Sequence, residues 1–322
     1  MKSLRISAFA ILQGLALLLP AVIAGGDALA QDAKAPRKDL VLKGDAKCTR
    51  CHDADDDYPV LSIAQTRHGV RADDRTPTCT SCHGASETHM NKPEGVTERP
   101  KPDRVFGKKT TTPADVRSDA CLSCHKGRAR THWAGSQHQR DQVACSDCHQ
   151  THAPADKVLS KKTQTEVCYA CHKDQRADSH KISTHPIAVG KVACSDCHNP
   201  HGSPGPTLLK KNTVNETCFT CHADKRGPFL FEHLAVIENC ANCHTPHGSN
   251  ITPLLVSRSP WLCQSCHDGQ HSSENPLGRN AAGNQGGLVS VSPSNQATGR
   301  ACLNCHVKIH GSNSPAGGYF QR

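Results

Sequence analysis

Ten copies of the pattern Cys-x-x-Cys-His run along this chain of 322 residues, and together they use all twenty cysteines. Residues at i, i+3 and i+4 of a helical turn lie on one face. Both cysteines of a motif can therefore bond the two vinyl groups of one haem while the histidine reaches the iron. The pattern predicts ten covalently bound haem c groups and a chain that folds around them.

The predicted attachment sites are all the cysteines: Cys48, Cys51, Cys79, Cys82, Cys121, Cys124, Cys145, Cys148, Cys168, Cys171, Cys194, Cys197, Cys218, Cys221, Cys240, Cys243, Cys263, Cys266, Cys302 and Cys305. The predicted proximal iron ligands are His52, His83, His125, His149, His172, His198, His222, His244, His267 and His306. A disulfide framework gives no reason for a histidine after every second cysteine. Zinc ribbons need no such histidine at every knuckle either. We therefore set both alternatives aside.

Twelve further histidines supply candidates for the second axial position. Read two motifs at a time, the chain forms five two-haem units, at about residues 48–89, 121–152, 168–201, 218–247 and 263–310, each with two free histidines in register. In units two to four, one free histidine lies seven to nine residues before the second motif, and the other lies three residues after that motif's own histidine. The predicted distal ligands are His68, His89, His138, His152, His185, His201, His233, His247, His271 and His310.

His132 and His180 fall outside this register. The sequence leaves open which free histidine serves which iron, and whether either of these two replaces an assigned ligand. With histidine on both sides, each iron would be coordinatively full, so the chain predicts an electron carrier without a catalytic residue rather than an enzyme. A multihaem reductase would need an open iron position, and no motif departs from the histidine ending that would mark one.

The first thirty residues have the pattern of a cleaved signal peptide. Lys2 and Arg5 precede an apolar run, and Ala28-Leu29-Ala30 provides a cleavage site. Residues 31–322 are then the mature chain. Export agrees with the attachment of haem c, which takes place outside the bacterial inner membrane.

The fold class follows from the small number of large apolar side chains available per haem. Aromatic residues make up only 3% of the chain, so the porphyrins must complete the core. We predict a multihaem cytochrome c, loop-rich with short α-helices around the motifs and almost no β-structure, as a single elongated decahaem domain. Residues 91–120 are predicted to be a linker, and residues 272–300 a polar loop.

Charge does not point to nucleic acid as a partner. The net charge of +9 falls to +8 when the signal leaves, and ten haems with their propionates bring the oxidised protein to about −2. The acidic run Asp53, Asp55, Asp56 and Asp57 is interpreted as solvated surface, or alternatively as a docking patch for a cationic redox partner.

The chain resembles the periplasmic decahaem cytochromes of outer-membrane porin–cytochrome conduits. The resemblance rests on the ten motifs in this order, on the segments 194–203, 218–228 and 240–249, and on the ending from Cys302 through His310. It implies a position inside an outer-membrane β-barrel porin, between periplasmic or inner-membrane cytochromes and an extracellular multihaem cytochrome or metal species. The implied function is electron relay for extracellular metal reduction or Fe(II) oxidation. A soluble periplasmic shuttle to a terminal reductase is the alternative.

Overall fold

A computed structural model describes residues 45–267 except 54, 71–74 and 108, and residues 302–320 except 305, 316 and 319. In these ranges the chain is built of short helices and loops without β-strands, as predicted, and its strand-like pairing is limited to isolated bridges such as Ser183 with Ser249. The α-helices are Cys79–His83, Glu87–Met90, Ala114–Leu122, Gln137–Arg140, Cys145–Cys148, Lys161–Cys168, Lys173–Asp178, Cys194–Cys197, Val214–Cys218, Leu234–Glu238 and Trp261–Gln264. The 3₁₀ turns are Val60–Gln65, Arg128–Arg130, Lys157–Leu159, Pro206–Leu208, Ala223–Lys225, Cys240–Asn242 and Cys302–Asn304.

Each Cys-x-x-Cys-His motif forms one turn of helix. In nine motifs the histidine N–H donates to the carbonyl of the first cysteine, as from His149 to Cys145 at 2.9 Å. The remaining motif, Cys79–His83, is itself a five-residue helix. This is the local geometry that brings the two sulfurs and the imidazole to one face.

Polar side chains join the two motifs of a unit. Asn215, three residues before one motif, accepts from the N–H of Cys240 at the start of the next, at 2.7 Å. Asp45 does the same for Cys79 at 2.7 Å, and Ser259 for Cys302 at 3.2 Å. Gln164 accepts from Ser195 at 2.9 Å. These bonds satisfy N–H groups that a helix start leaves without partners, and they fix the two motifs of a unit against each other.

The polypeptide forms almost no apolar core of its own. Among the described residues, only Ala114, Trp133, Ala144, Ala193 and Leu209 are buried apolar side chains, whereas twice as many buried residues are polar or charged. Large apolar side chains such as Leu234 and Trp261 are 80% and 66% exposed. This distribution fits a chain whose interior is completed by porphyrin.

The segment 91–120, predicted to be a linker, carries more structure than that prediction foresees. Asp103 accepts from Ser86 N–H at 2.8 Å, and the last part of the segment belongs to the helix Ala114–Leu122. The signal segment 1–30 and the polar loop 272–300 lie outside the described residues. No helix in the described ranges is long and apolar enough to cross a membrane.

Candidate functional site

The ten motifs are numbered here as sites 1 to 10 in chain order. Within each unit the first cysteines of the two motifs lie against each other, as Cys168 and Cys194 do: a hydrogen bond between the two thiols raises the pKa of Cys168 and lowers that of Cys194 to about 7. The same contact joins Cys48 with Cys79, Cys121 with Cys145, Cys218 with Cys240, and Cys263 with Cys302. The two attachment sites of a unit are therefore adjacent.

Consecutive units are also adjacent at their attachment sites. The pKa of Cys82 is raised, mainly by burial and in part by the nearby Cys124 of the next unit. Cys148 with Cys168, Cys197 with Cys218, and Cys243 with Cys266 interact in the same way. Sites 1 to 10 thus follow one another in space in the order of the sequence, each beside the next.

Motif histidines and free histidines meet as ring pairs. Nine of the ten motif histidines face one free histidine each, with ring centroids 5.9 to 6.3 Å apart. The pairs are His52–His89, His83–His152, His125–His68, His149–His201, His172–His138, His198–His247, His222–His185, His244–His310 and His267–His233.

This spacing fits an iron held between two imidazoles. A metal–imidazole bond of about 2.0 Å, with about 1.2 Å from the nitrogen to the ring centre, separates two axial rings by about 6.4 Å. The observed distances therefore suit a bis-histidine haem at each of the nine pairs.

The other ring nitrogen of many of these histidines is held by an acceptor. His89 Nδ1 lies 2.7 Å from the carbonyl of Pro100, His83 Nδ1 3.0 Å from that of Arg104, and His152 Nδ1 2.7 Å from that of Val60. A carbonyl can only accept, so Nδ1 carries the proton in each case and Nε2 is left with its lone pair. This is the arrangement that orients an iron-binding imidazole.

The surroundings also keep several of these imidazoles neutral. Burial lowers the pKa of His83, His198, His247 and His310, and lowers that of His201 to about 4. Only a neutral imidazole has the free nitrogen that a metal requires.

The ring pairs cross from unit to unit in a regular way. The early free histidine of units one to four meets the first motif of the following unit, as His138 meets His172. The late one meets the second motif of the preceding unit, as His201 meets His149. Among the described pairs, His89 alone closes on its own unit, with His52 at the first site. The five units are therefore interlocked, a pattern that spacing along the sequence does not reveal.

His132 and His180 take part in none of the described ring pairs. The backbone of His132 instead packs closely against Gly202. A Cβ added at Gly202, whose φ is +105°, would lie 2.0 Å from the His132 carbonyl oxygen. Beside this close approach, His138 Nδ1 donates to the carbonyl of Pro200 at 2.8 Å. The Asp178 carbonyl approaches Gly248 in the same way. Close backbone packing explains why a glycine follows the late histidine in these two units.

At site 10 the structure describes only part of the predicted set. Cys305 and His271 lie outside the described residues, whereas the motif histidine His306 is described. Two carboxylates that sequence reasoning did not connect with the sites contact motif histidines: Asp56 contacts His52 at 3.0 Å, and Asp156 contacts His149 at 2.7 Å. Asp56 is thus one acid of the acidic run with a specific partner. Its position four residues after His52 was the available signal.

Comparisons with known proteins agree with this picture. The doubled CXXCH motif family matches residues 185–227 and 233–275, and the NrfB-like cytochrome c-type proteins match residues 79–164. Over 286 residues the chain is 44% identical to multiheme cytochrome MtrA of Shewanella baltica (strain OS185), covering 87% of this chain and 82% of that protein.

Proposed function

The chain belongs to the multihaem c-type cytochromes of the MtrA type, and from that premise we propose that it relays electrons between the periplasm and the cell exterior. The observation that carries the proposal is the set of nine histidine ring pairs, whose spacing of 5.9 to 6.3 Å suits bis-histidine iron throughout. When bound, each haem supplies one iron that takes up and releases a single electron.

The residues of the proposed sites divide into three roles. The twenty motif cysteines hold ten haem c groups, the ten motif histidines bind the irons on one side, and the ten free histidines in register bind them on the other, with His271 proposed for site 10. Because imidazole fills both axial positions, no position is left for a substrate. The chain is an electron carrier, and we propose no reductase activity for it.

Order along the chain supports relay from one end to the other. Each attachment site is adjacent to the next, so an electron has a neighbour to move to at every step. Neighbouring sites are also connected through the backbone. His138, which pairs with His172 at site 5, donates to the carbonyl of Pro200, and Pro200 directly precedes His201 of site 4. This contact holds the two sites in a fixed relative position.

The location is proposed from the signal pattern and the family resemblance. Cleavage after Ala30 would release residues 31–322 into the periplasm, where the chain would enter an outer-membrane β-barrel porin. Periplasmic or inner-membrane cytochromes would meet it on one side. An extracellular multihaem cytochrome, or iron and other metal species, would meet it on the other.

The test is reconstitution. The mature protein should carry ten haems by intact mass, show only low-spin haem in its electron paramagnetic resonance spectrum, and co-purify with an outer-membrane porin from the same organism. Liposomes containing that complex should oxidise an enclosed reduced dye when an iron(III) oxide is added outside, whereas liposomes with the porin alone should not. A monomer that binds no porin, yet reduces a purified periplasmic reductase, would establish the shuttle function instead.

A further inference from the structure

One motif histidine differs from its counterparts in the acceptor that it contacts. At sites 6 and 8, His198 and His244 donate from Nδ1 to backbone carbonyls, of Thr207 and Pro253, each at 2.9 Å. At site 4, His149 donates to a carboxylate, Asp156 Oδ2, at 2.7 Å. All three are motif histidines of the second site in their unit. A formal negative charge thus replaces a neutral dipole at one position of the repeat.

The contact at site 4 is well built. The Asp156 side chain is only 14% exposed. Its other oxygen accepts from Val158 N–H at 3.3 Å and caps the turn Lys157–Leu159. Among the described residues, its one ion-pair partner is His149, since the neighbouring Lys157 pairs with Glu166. The carboxylate is therefore held in place and directed at the imidazole.

We propose that Asp156 makes the haem at site 4 harder to reduce than those at sites 6 and 8, so that site 4 is a high-energy step within the relay. The inference rests on the ligand assignment of the proposed function. A hydrogen bond to a carboxylate is about twice as strong as one to a neutral acceptor. It draws the Nδ1 proton away and makes the imidazole a stronger electron donor. A stronger donor stabilises ferric iron relative to ferrous iron, and this lowers the potential.

The opposite side of site 4 does not reproduce this effect. His201 Nδ1 is buried with no hydrogen-bond partner within the described structure, and the charge of Arg130 acts on the same imidazole. The negative charge of Asp156 and the positive charge of Arg130 therefore oppose each other across the site. Removing the carboxylate makes His149 a weaker electron donor and leaves the positive charge of Arg130 unopposed. Both effects raise the potential of site 4.

Site 1 provides a weaker version of the same contact. His52 Nδ1 lies 3.0 Å from Asp56 Oδ2, but the two side chains are 45% and 30% exposed. Water screens a carboxylate of this exposure more strongly than one that is mostly buried. Neutralising Asp56 should therefore shift its haem in the same direction as neutralising Asp156, but by less.

The test is a redox titration of the purified haem-loaded protein with Asp156→Asn. His149 and Val158 donate to different oxygens of Asp156, and asparagine keeps only one of these two acceptors. The substitution therefore removes the negative charge and one of the two hydrogen bonds, and the loss of either the charge or the contact with His149 raises the potential. The one-electron titration curve should show one haem of ten moving to higher potential. The ferrous-to-ferric ratio of that haem at fixed potential should rise about tenfold, which corresponds to about 59 mV for one electron. Asp56→Asn should move a different haem by less than Asp156→Asn moves its own.

Glu166→Gln is the matched control, because it removes a carboxylate beside Lys157 that touches no histidine. A curve for Asp156→Asn that matches wild type, or one that matches Glu166→Gln, overturns the proposal. If the asparagine variant does not load ten haems, Asp156→Ser keeps a cap for Val158 and removes the contact with His149. It should raise the same potential, and an unchanged curve would again be decisive. Since these measurements need no porin, they can fail while transport across liposomes succeeds.

Discussion

Gly202 allows a direct test of the interlocked packing. Its φ of +105° is unfavourable for any other residue, and a Cβ there would lie 2.0 Å from the carbonyl oxygen and 2.7 Å from the carbonyl carbon of His132. Both neighbours are backbone atoms, which cannot rotate away as a side chain can. Gly202→Ala should therefore force two segments from different units apart.

The expected cost has two parts. Placing alanine at positive φ costs about 1–2 kcal/mol. Restoring a contact of about 3.0 Å means moving the His132 backbone by about 1 Å, and overpacking of this kind adds about 1–3 kcal/mol. Gly135 separates the two parts, because its φ is +80° but nothing lies within 4 Å of an added Cβ. Gly135→Ala should cost only the first part.

The assay is denaturant unfolding of the haem-loaded protein, followed by circular dichroism in the Soret region. Gly202→Ala should lose about 2–5 kcal/mol of unfolding free energy, and Gly135→Ala about 1–2 kcal/mol. Equal midpoints with equal slopes for the two variants would refute the reasoning, since the backbone contact would then contribute nothing.

Three further outcomes are expected. His201→Ala should convert one low-spin haem to high spin by electron paramagnetic resonance, whereas His180→Ala should convert none; the reverse result would contradict the assigned register. Arg117→Met should lower the unfolding free energy by about 1.5–3 kcal/mol in denaturant titration, because the Asp147 carboxylate, 18% exposed, loses its partner at 2.7 Å. A loss below about 1 kcal/mol would count against this prediction. The hydrogen bond from Lys161 lowers the pKa of Asp196 below 3.8, so this pair stabilises the fold above that pH and loses its effect as pH falls through the folded value. Lys161→Met should accordingly cost about 0.5–1 kcal/mol near neutral pH and nothing in strong acid, as measured by unfolding at both pH values.

Local chemistry was predictable from the sequence, because it depends on neighbours in the chain. The spacing from Cys145 to His149 specifies one helical turn, and the structure has that turn closed by a hydrogen bond of 2.9 Å. The shortage of aromatic residues predicted short helices and loops, and this is confirmed. The register predicted which ten free histidines are ligands but not which iron each one serves, and their ligation stays a proposal.

Long-range chemistry was not predictable in the same way. His152 meets His83, 69 positions earlier in the sequence, and its Nδ1 acceptor is the carbonyl of Val60, 92 positions away. Backbone carbonyls carry no residue signature, so no pattern marks Val60 or Pro200 as an acceptor. Asp156 was equally hidden, because it lies seven positions after His149 with no α-helix between them.

The exchange of histidines between neighbouring units determines how a chain of this type can change in length. If unit three were removed, site 4 would lose His201 and site 7 would lose His185. The removal would also leave His247 and His138 without their partners. His247 is a late histidine like His201, and His138 is an early histidine like His185, so each could take the vacated position. The cut ends can therefore complete each other, and the same holds for an inserted copy of a unit. If the paired histidines bind iron as proposed, gene duplication or deletion in steps of two haems preserves a full set of axial donors, whereas a step of one haem leaves an iron without its second histidine.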